Sequence, residues 1–106
     1  MTGEERRRLL AVARGAQPAE VVFRGGRLVN PFTGEVAPCE VAVACGRVAA
    51  LGEGLRGERV VELRGRYLCP GLIDAHTHIE SSLALPSEVG RAAVAGGVTT
   101  LVADPH

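Results

Sequence analysis

The pattern of apolar and polar positions divides the chain into three regions, and the first region predicts a helix. Thr2 precedes Glu5 by three residues, which is the spacing of a capping box that satisfies free amide groups at a helix start. Apolar residues at positions 9–13 supply one helical face, and Gly15 is placed to end the helix. We therefore predict an N-terminal helix within residues 1–16.

The second region, residues 17–68, consists of short apolar and β-branched runs separated by turn signals. The pairs Gly25-Gly26 and Cys45-Gly46 each lie between two such runs, which is typical of two-residue hairpins. Strands spaced this closely, with turns this regular, predict a small all-β sandwich or barrel, and a β-sandwich is the architecture we expect.

The third region, residues 69–106, predicts longer elements. Residues 72–79 and 98–103 have the pattern of strands, and residues 85–95 have the pattern of a helix that enters through Pro86. A strand, a helix and a second strand form a βαβ unit, so the two strands should be parallel with a right-handed connection. The fold class expected is α/β, with a sandwich followed by the first βαβ unit of a larger domain.

The first strand of the third region carries the candidate chemistry. Because alternate side chains of a strand share a face, four ionisable side chains are expected on one side: Asp74, His76, His78 and Glu80. Two histidines separated by one residue have Cα atoms about 6.6 Å apart, and both can reach one divalent ion at ~2.1 Å per nitrogen. The alternative is a hydrogen-bonded histidine pair in a polar patch, and the four ionisable positions in register favour metal.

The second strand repeats this arrangement at its carboxyl end, where Asp104 and His106 lie. In a parallel pair this is the same sheet edge as the one reached by His76 and His78, so the three histidines of the chain should converge there. For His106, a purely structural role at a frayed chain end is the alternative.

Composition excludes several classes of protein. Twelve basic and twelve acidic residues cancel, so there is no net field that would attract nucleic acid or an anionic membrane surface. No apolar run approaches the ~20 residues that a membrane span needs. The three cysteines, Cys39, Cys45 and Cys69, match neither a redox pair nor a zinc ribbon. We expect reduced thiols and a cytoplasmic protein.

The motifs of the third region resemble those of a known superfamily. PGLIDAHTHIESS, at residues 70–82, resembles the first-strand signature of the amidohydrolase superfamily, in which the H-x-H pair binds metal. With GVTT at 97–100 and ADPH at 103–106, the pattern is similar to that of bacterial adenine deaminases. The upstream sequence, from RRLLAVARG to GRYLCPG, is similar to the same family's N-terminal region. Residues 44–46 and 95–97 depart from the family's usual turns.

This resemblance implies the start of a metal-dependent (β/α)8 TIM barrel and the hydrolytic deamination of adenine to hypoxanthine and ammonia. It implies a divalent metal, Mn2+ or Fe2+ with Zn2+ as the alternative, which activates water. By the same resemblance, His76 and His78 are metal ligands, and Glu80 and His106 are candidate contacts to a further metal or to substrate. Asp74 is a candidate for orienting the ligands, as is Asp104.

A complete barrel usually needs ~250 residues, so the 106 residues are expected to be a truncated N-terminal part that is inactive alone. No catalytic residue is assigned within them. An exposed parallel edge would favour association, so a homo-oligomer is a candidate state. Two alternatives stay open: another amidohydrolase, such as a cytosine deaminase or cyclic-amide hydrolase, and a non-catalytic module that binds metal or a partner.

Overall fold

The computed structural model describes residues 1–103, apart from the side chain of Glu80, and the chain divides between Cys69 and Pro70. Within the described residues, the first unit contains one helix and seven strands. The second unit begins at Pro70 and contains two strands, a 3-10 helix and an α-helix. The predicted α/β class is confirmed.

Helix α1 spans Gly3–Ala13 and has the predicted capping box. The Thr2 hydroxyl accepts a hydrogen bond from the Glu5 amide at 3.1 Å, and the Glu5 carboxylate accepts one from the Thr2 amide at 3.5 Å. At the other end, Gly15 has a φ of 78° and its amide donates to the Val12 carbonyl at 3.0 Å. Both helix ends therefore satisfy main-chain groups that a helix leaves free.

Seven strands follow α1 in the first unit: β1 (Ala19–Arg24), β2 (Arg27–Val29), β3 (Val36–Pro38), β4 (Glu40–Ala44), β5 (Arg47–Gly52), β6 (Gly57–Glu62) and β7 (Tyr67–Leu68). They form a four-stranded sheet in the order β5-β4-β1-β6 and a three-stranded sheet in the order β3-β2-β7. The β1–β6 and β2–β7 pairs are parallel, and the other pairs in these sheets are antiparallel.

The predicted hairpin at Cys45-Gly46 is confirmed. It joins the antiparallel strands β4 and β5, with Ala44 opposite Arg47. Both turn residues have positive φ angles, 53° and 68°, as a type I′ turn requires.

The predicted hairpin at Gly25-Gly26 is wrong, because β1 and β2 belong to different sheets. The chain here runs beside the β6–β7 connection, and the Gly65 amide donates to the Gly25 carbonyl at 2.6 Å. A Cβ atom on Gly26 would lie 2.5 Å from the Arg66 carbonyl oxygen and 2.8 Å from the Leu63 Cβ atom. The glycines therefore permit the close approach of two chain segments instead of reversing the chain.

The buried core of the described residues lies in the first unit, where α1 contacts β4 and β5. The apolar side chains that are most deeply buried are Val12, Ala19, Val22, Val41, Ala42, Ala44 and Leu63. Three of the seven are alanines, and such small side chains let the helix and the sheet approach closely.

The second unit is a βαβ unit, as predicted. Its elements are β8 (Leu72–Thr77), a 3-10 helix (Ile79–Ser82), α2 (Pro86–Ala95) and β9 (Val98–Ala103). Strands β8 and β9 are parallel. Strand β8 ends two residues earlier than predicted, because the 3-10 helix begins at Ile79. None of the helices within residues 1–103 has the length and apolar character needed to cross a membrane.

Candidate metal centre

The pairing of β8 with β9 contains an irregularity near its start. Leu72 lies opposite Val98, but the next residue, Ile73, lies opposite Thr100. Thr99 is therefore an extra residue in β9, which is a β-bulge.

The chain before β8 is packed tightly against this bulge. A Cβ atom on Gly71 would lie 2.8 Å from the Thr99 Cβ atom and still closer to the Thr99 hydroxyl and methyl groups. Because glycine has no Cβ atom, Gly71 leaves space for the Thr99 side chain.

A second irregularity lies in β8, where the candidate ligands begin. Asp74 lies opposite Leu101 and Thr77 lies opposite Ala103, so β8 holds two residues where β9 holds one. His76 is the second of these two residues. The bulge in β8 compensates for the bulge in β9, so both strands advance five residues between their first and last pairs. Bulges are common beside functional sites, where they redirect side chains.

The Asp74 side chain bonds to the main chain within this second bulge. Its Oδ1 atom accepts a hydrogen bond from the His76 amide at 3.2 Å. The carboxylate therefore satisfies a main-chain donor at the position where the strand departs from regular pairing.

The side chains of His76 and His78 lie together beyond the bulge. Their Nε2 atoms are 3.0 Å apart, and their rings meet edge to face at 83° with centroids 4.7 Å apart. His76 is exposed and His78 is half-buried. A distance of 3.0 Å suits two neighbouring ligands of one ion bound at ~2.1 Å. It also suits a ring-to-ring hydrogen bond in which one Nε2 donates and the other accepts.

The chain turns directly after these histidines. The Ser81 amide donates to the His78 carbonyl at 3.2 Å, and the Ser82 hydroxyl donates to the Ile79 carbonyl at 2.5 Å. The Ala84 amide in turn donates to the Ser82 hydroxyl at 3.2 Å. Ser82 therefore stabilises the 3-10 turn that follows the ligand pair.

The structure does not describe the side chains of the remaining candidate site residues. Glu80 lies in the 3-10 helix, but its side chain is outside the described part, and so are Asp104 and His106 altogether. Within residues 1–103, no group of three or more histidine, cysteine, aspartate or glutamate side chains has an arrangement that could hold a metal ion. The described residues therefore bring together two of the predicted ligands.

Comparison with known proteins places this βαβ unit in a family. Residues 67–106 match the model of the amidohydrolase family. An adenine deaminase of Deinococcus deserti is 49% identical over 97% of this chain and 19% of its own length. Further bacterial adenine deaminases are between 37% and 47% identical. The chain spans about one fifth of the length of the curated relatives that it matches.

Two solved structures share the fold. A D-aminoacylase mutant in complex with copper chloride has a TM-score of 0.70 and 28% identity, over 82% of this chain and 19% of its own. The N-acyl-D-glutamate deacylase of Bordetella bronchiseptica, complexed with zinc and a phosphonate inhibitor, has a TM-score of 0.67 and 22% identity over the same shares.

These matches define the class of protein: the βαβ unit is that of an amidohydrolase, since residues 67–106 match the family's model. Within that family the chain is similar to the adenine deaminases over nearly its whole length, as the sequence motifs predicted.

Proposed function

We propose that this chain is part of an adenine deaminase, which hydrolyses adenine to hypoxanthine and ammonia. The proposal is carried by the 49% identity to an adenine deaminase over 97% of the chain. The 3.0 Å separation of the His76 and His78 Nε2 atoms supports it, because a metal-dependent hydrolase needs ligands that converge on one ion.

In this proposal, His76 and His78 hold a divalent ion. Imidazole nitrogens suit iron and zinc, and Mn2+ or Fe2+ is proposed, with Zn2+ as the alternative. When bound, such an ion acts as a Lewis acid and lowers the pKa of a bound water. The Nε2 atoms are the ring nitrogens that lie together in this pair. When they bind the ion, each imidazole must therefore carry its proton on Nδ1.

Four further side chains have proposed roles around this pair. Glu80 and His106 contact a further metal or the substrate, and Asp74 and Asp104 orient the ligands. Asp74 is the member of this group with a described contact, the hydrogen bond from the His76 amide.

The surroundings of the protein are also part of the proposal. Adenine is the small-molecule partner, the protein is cytoplasmic, and it assembles as a homo-oligomer. The balance of twelve basic and twelve acidic residues argues against nucleic acid and anionic membranes as partners.

The test is a substrate comparison on the product of the complete reading frame that contains these residues. The purified protein, loaded with Mn2+, is supplied with adenine, cytosine or dihydropyrimidines, and hypoxanthine and ammonia are measured. We expect turnover of adenine alone. His76→Ala should abolish this activity, and the control Glu88→Gln should keep it, because Glu88 lies in the first turn of α2 and is not one of the proposed site residues. Turnover of cytosine or a cyclic amide in preference to adenine would refute the proposed substrate.

A further inference from the structure

The bulge in β8 leaves the first candidate ligand on an irregular segment of main chain. Between the Asp74–Leu101 and Thr77–Ala103 pairs, His76 belongs to the two β8 residues that face one residue of β9. A bulge locally disrupts the hydrogen-bond ladder, so the orientation of this residue is set by other contacts. The His76 amide donates a hydrogen bond to the Asp74 carboxylate at 3.2 Å.

We propose that Asp74 is a positioning residue that holds His76 through its main-chain amide, so that the His76 imidazole meets that of His78. The role of the imidazole pair as metal ligands rests on the proposed function. In the usual support of a metal-bound histidine, a carboxylate accepts a hydrogen bond from the second ring nitrogen, whereas Asp74 accepts one from the main-chain amide of His76.

The chemistry of this contact makes the inference specific. An amide donor needs an acceptor oxygen, and either a carboxylate or a carboxamide supplies one. If Asp74 acts by accepting a hydrogen bond from the His76 amide, Asp74→Asn preserves the positioning of His76 and Asp74→Ala removes it. If Asp74 instead acts through its negative charge, on the ion or on a ring, both substitutions remove its effect.

The opposing bulge at Thr99 explains why the contact can be local. Because the extra residue in β9 precedes the extra residue in β8, Thr77 is brought back into register opposite Ala103. The end of β8 therefore stays aligned with β9, and the shifted register is confined to the residues between Leu72 and Thr77. The Asp74 carboxylate thus acts on His76 without displacing the strand end.

The experiment compares Asp74→Ala, Asp74→Asn and the control Glu88→Gln in the complete reading-frame product. The first measurement, on metal-free protein, is hydrogen exchange of the His76 amide, resolved by mass spectrometry with electron-transfer fragmentation. The second is Mn2+ affinity, measured by competition with a chelator. We expect Asp74→Ala to accelerate exchange at His76 and to lower Mn2+ affinity about 10- to 100-fold, as outer-shell substitutions do.

Asp74→Asn and Glu88→Gln are expected to stay close to the unsubstituted protein in both measurements. Equal losses of affinity in Asp74→Asn and Asp74→Ala would overturn the proposal, because the charge would then be the active property. Unchanged exchange at His76 in Asp74→Ala would overturn it as well. An unsubstituted protein that binds no Mn2+ would refute the proposed function, while the exchange measurement would still decide whether Asp74 holds the His76 amide.

Discussion

At the scale of single residues, the described part of the metal centre depends on two imidazole rings and the main chain between them. The one-residue spacing predicted that His76 and His78 would approach each other, and their Nε2 atoms lie 3.0 Å apart. That reasoning assumed a regular alternation of side chains from Asp74 onward. The bulge in β8 interrupts it, and a bulge depends on the register with a distant strand, so no local sequence pattern predicts it.

The proximity of the two rings makes a prediction about metal binding. We expect His76→Ala and His78→Ala each to lower Mn2+ affinity by more than the ~10- to 100-fold of outer-shell substitutions, since each removes a nitrogen from the pair. The affinity is measured by the electron paramagnetic resonance of free Mn2+ in the complete reading-frame product. Glu88→Gln, in α2, is the matched control and should bind as the unsubstituted protein does. Full affinity in His78→Ala would show that the ring contact is only a hydrogen bond.

At the scale of elements, the parts that sequence predicted well carry local signals. Helix α1 has its capping box at Thr2, and α2 begins at Pro86, where a missing amide proton costs nothing. By contrast, strands β3 and β7 are only three and two residues long. Pairing with β2 defines both of them, and such contacts are not encoded in a short stretch of sequence.

The approach of Gly71 to Thr99 predicts how firmly β8 and β9 are joined. Gly71→Ala should destabilise the second unit by about 1–3 kcal/mol, because the added methyl overlaps the Thr99 side chain. Thr99→Ala in the same chain should restore part of the loss. The measurement is the exchange of β8 and β9 amides, which reports the opening of this unit.

Gly90 supplies the contrasting substitution, since a Cβ atom there would meet nothing within 4 Å and the residue lies inside α2. Gly90→Ala should therefore stabilise the helix by about 0.5–1 kcal/mol. If Gly71→Ala and Gly90→Ala destabilised the second unit equally, the contact with Thr99 would not be the cause of the Gly71→Ala effect.

At the scale of the whole molecule, burial is unevenly distributed between the two units. The most deeply buried apolar side chains of the described residues all belong to the first unit. In the second, Leu72, Ile73, Leu85 and Val102 are each more than half exposed. Parallel strands are usually covered on both faces. The apolar side chains of the second unit are therefore more exposed to water than is normal for parallel strands.

This difference predicts two levels of stability in the 106-residue chain. Strands β1 and β4 contain the buried residues Val22 and Ala42, and their amides should exchange more slowly than the amides of β8 and β9. The physical reason is that opening the first unit exposes a buried apolar cluster, whereas opening the second exposes little that is not already in water. Residue-resolved exchange by nuclear magnetic resonance is the measurement. Equal protection in both sets of strands would contradict the expectation.

The compensating bulges have a consequence for how this stretch of gene can change its length. Strands β8 and β9 each advance five residues from the first pair to the last, although each contains one residue that the other lacks. Loss of the Thr99 codon alone would shorten one strand and leave the carboxyl ends one residue out of step. A matching loss beside His76 would make the lengths equal again. Single-codon insertions and deletions here should therefore survive selection mainly as pairs, one in each strand, although the two codons lie more than twenty positions apart in the sequence.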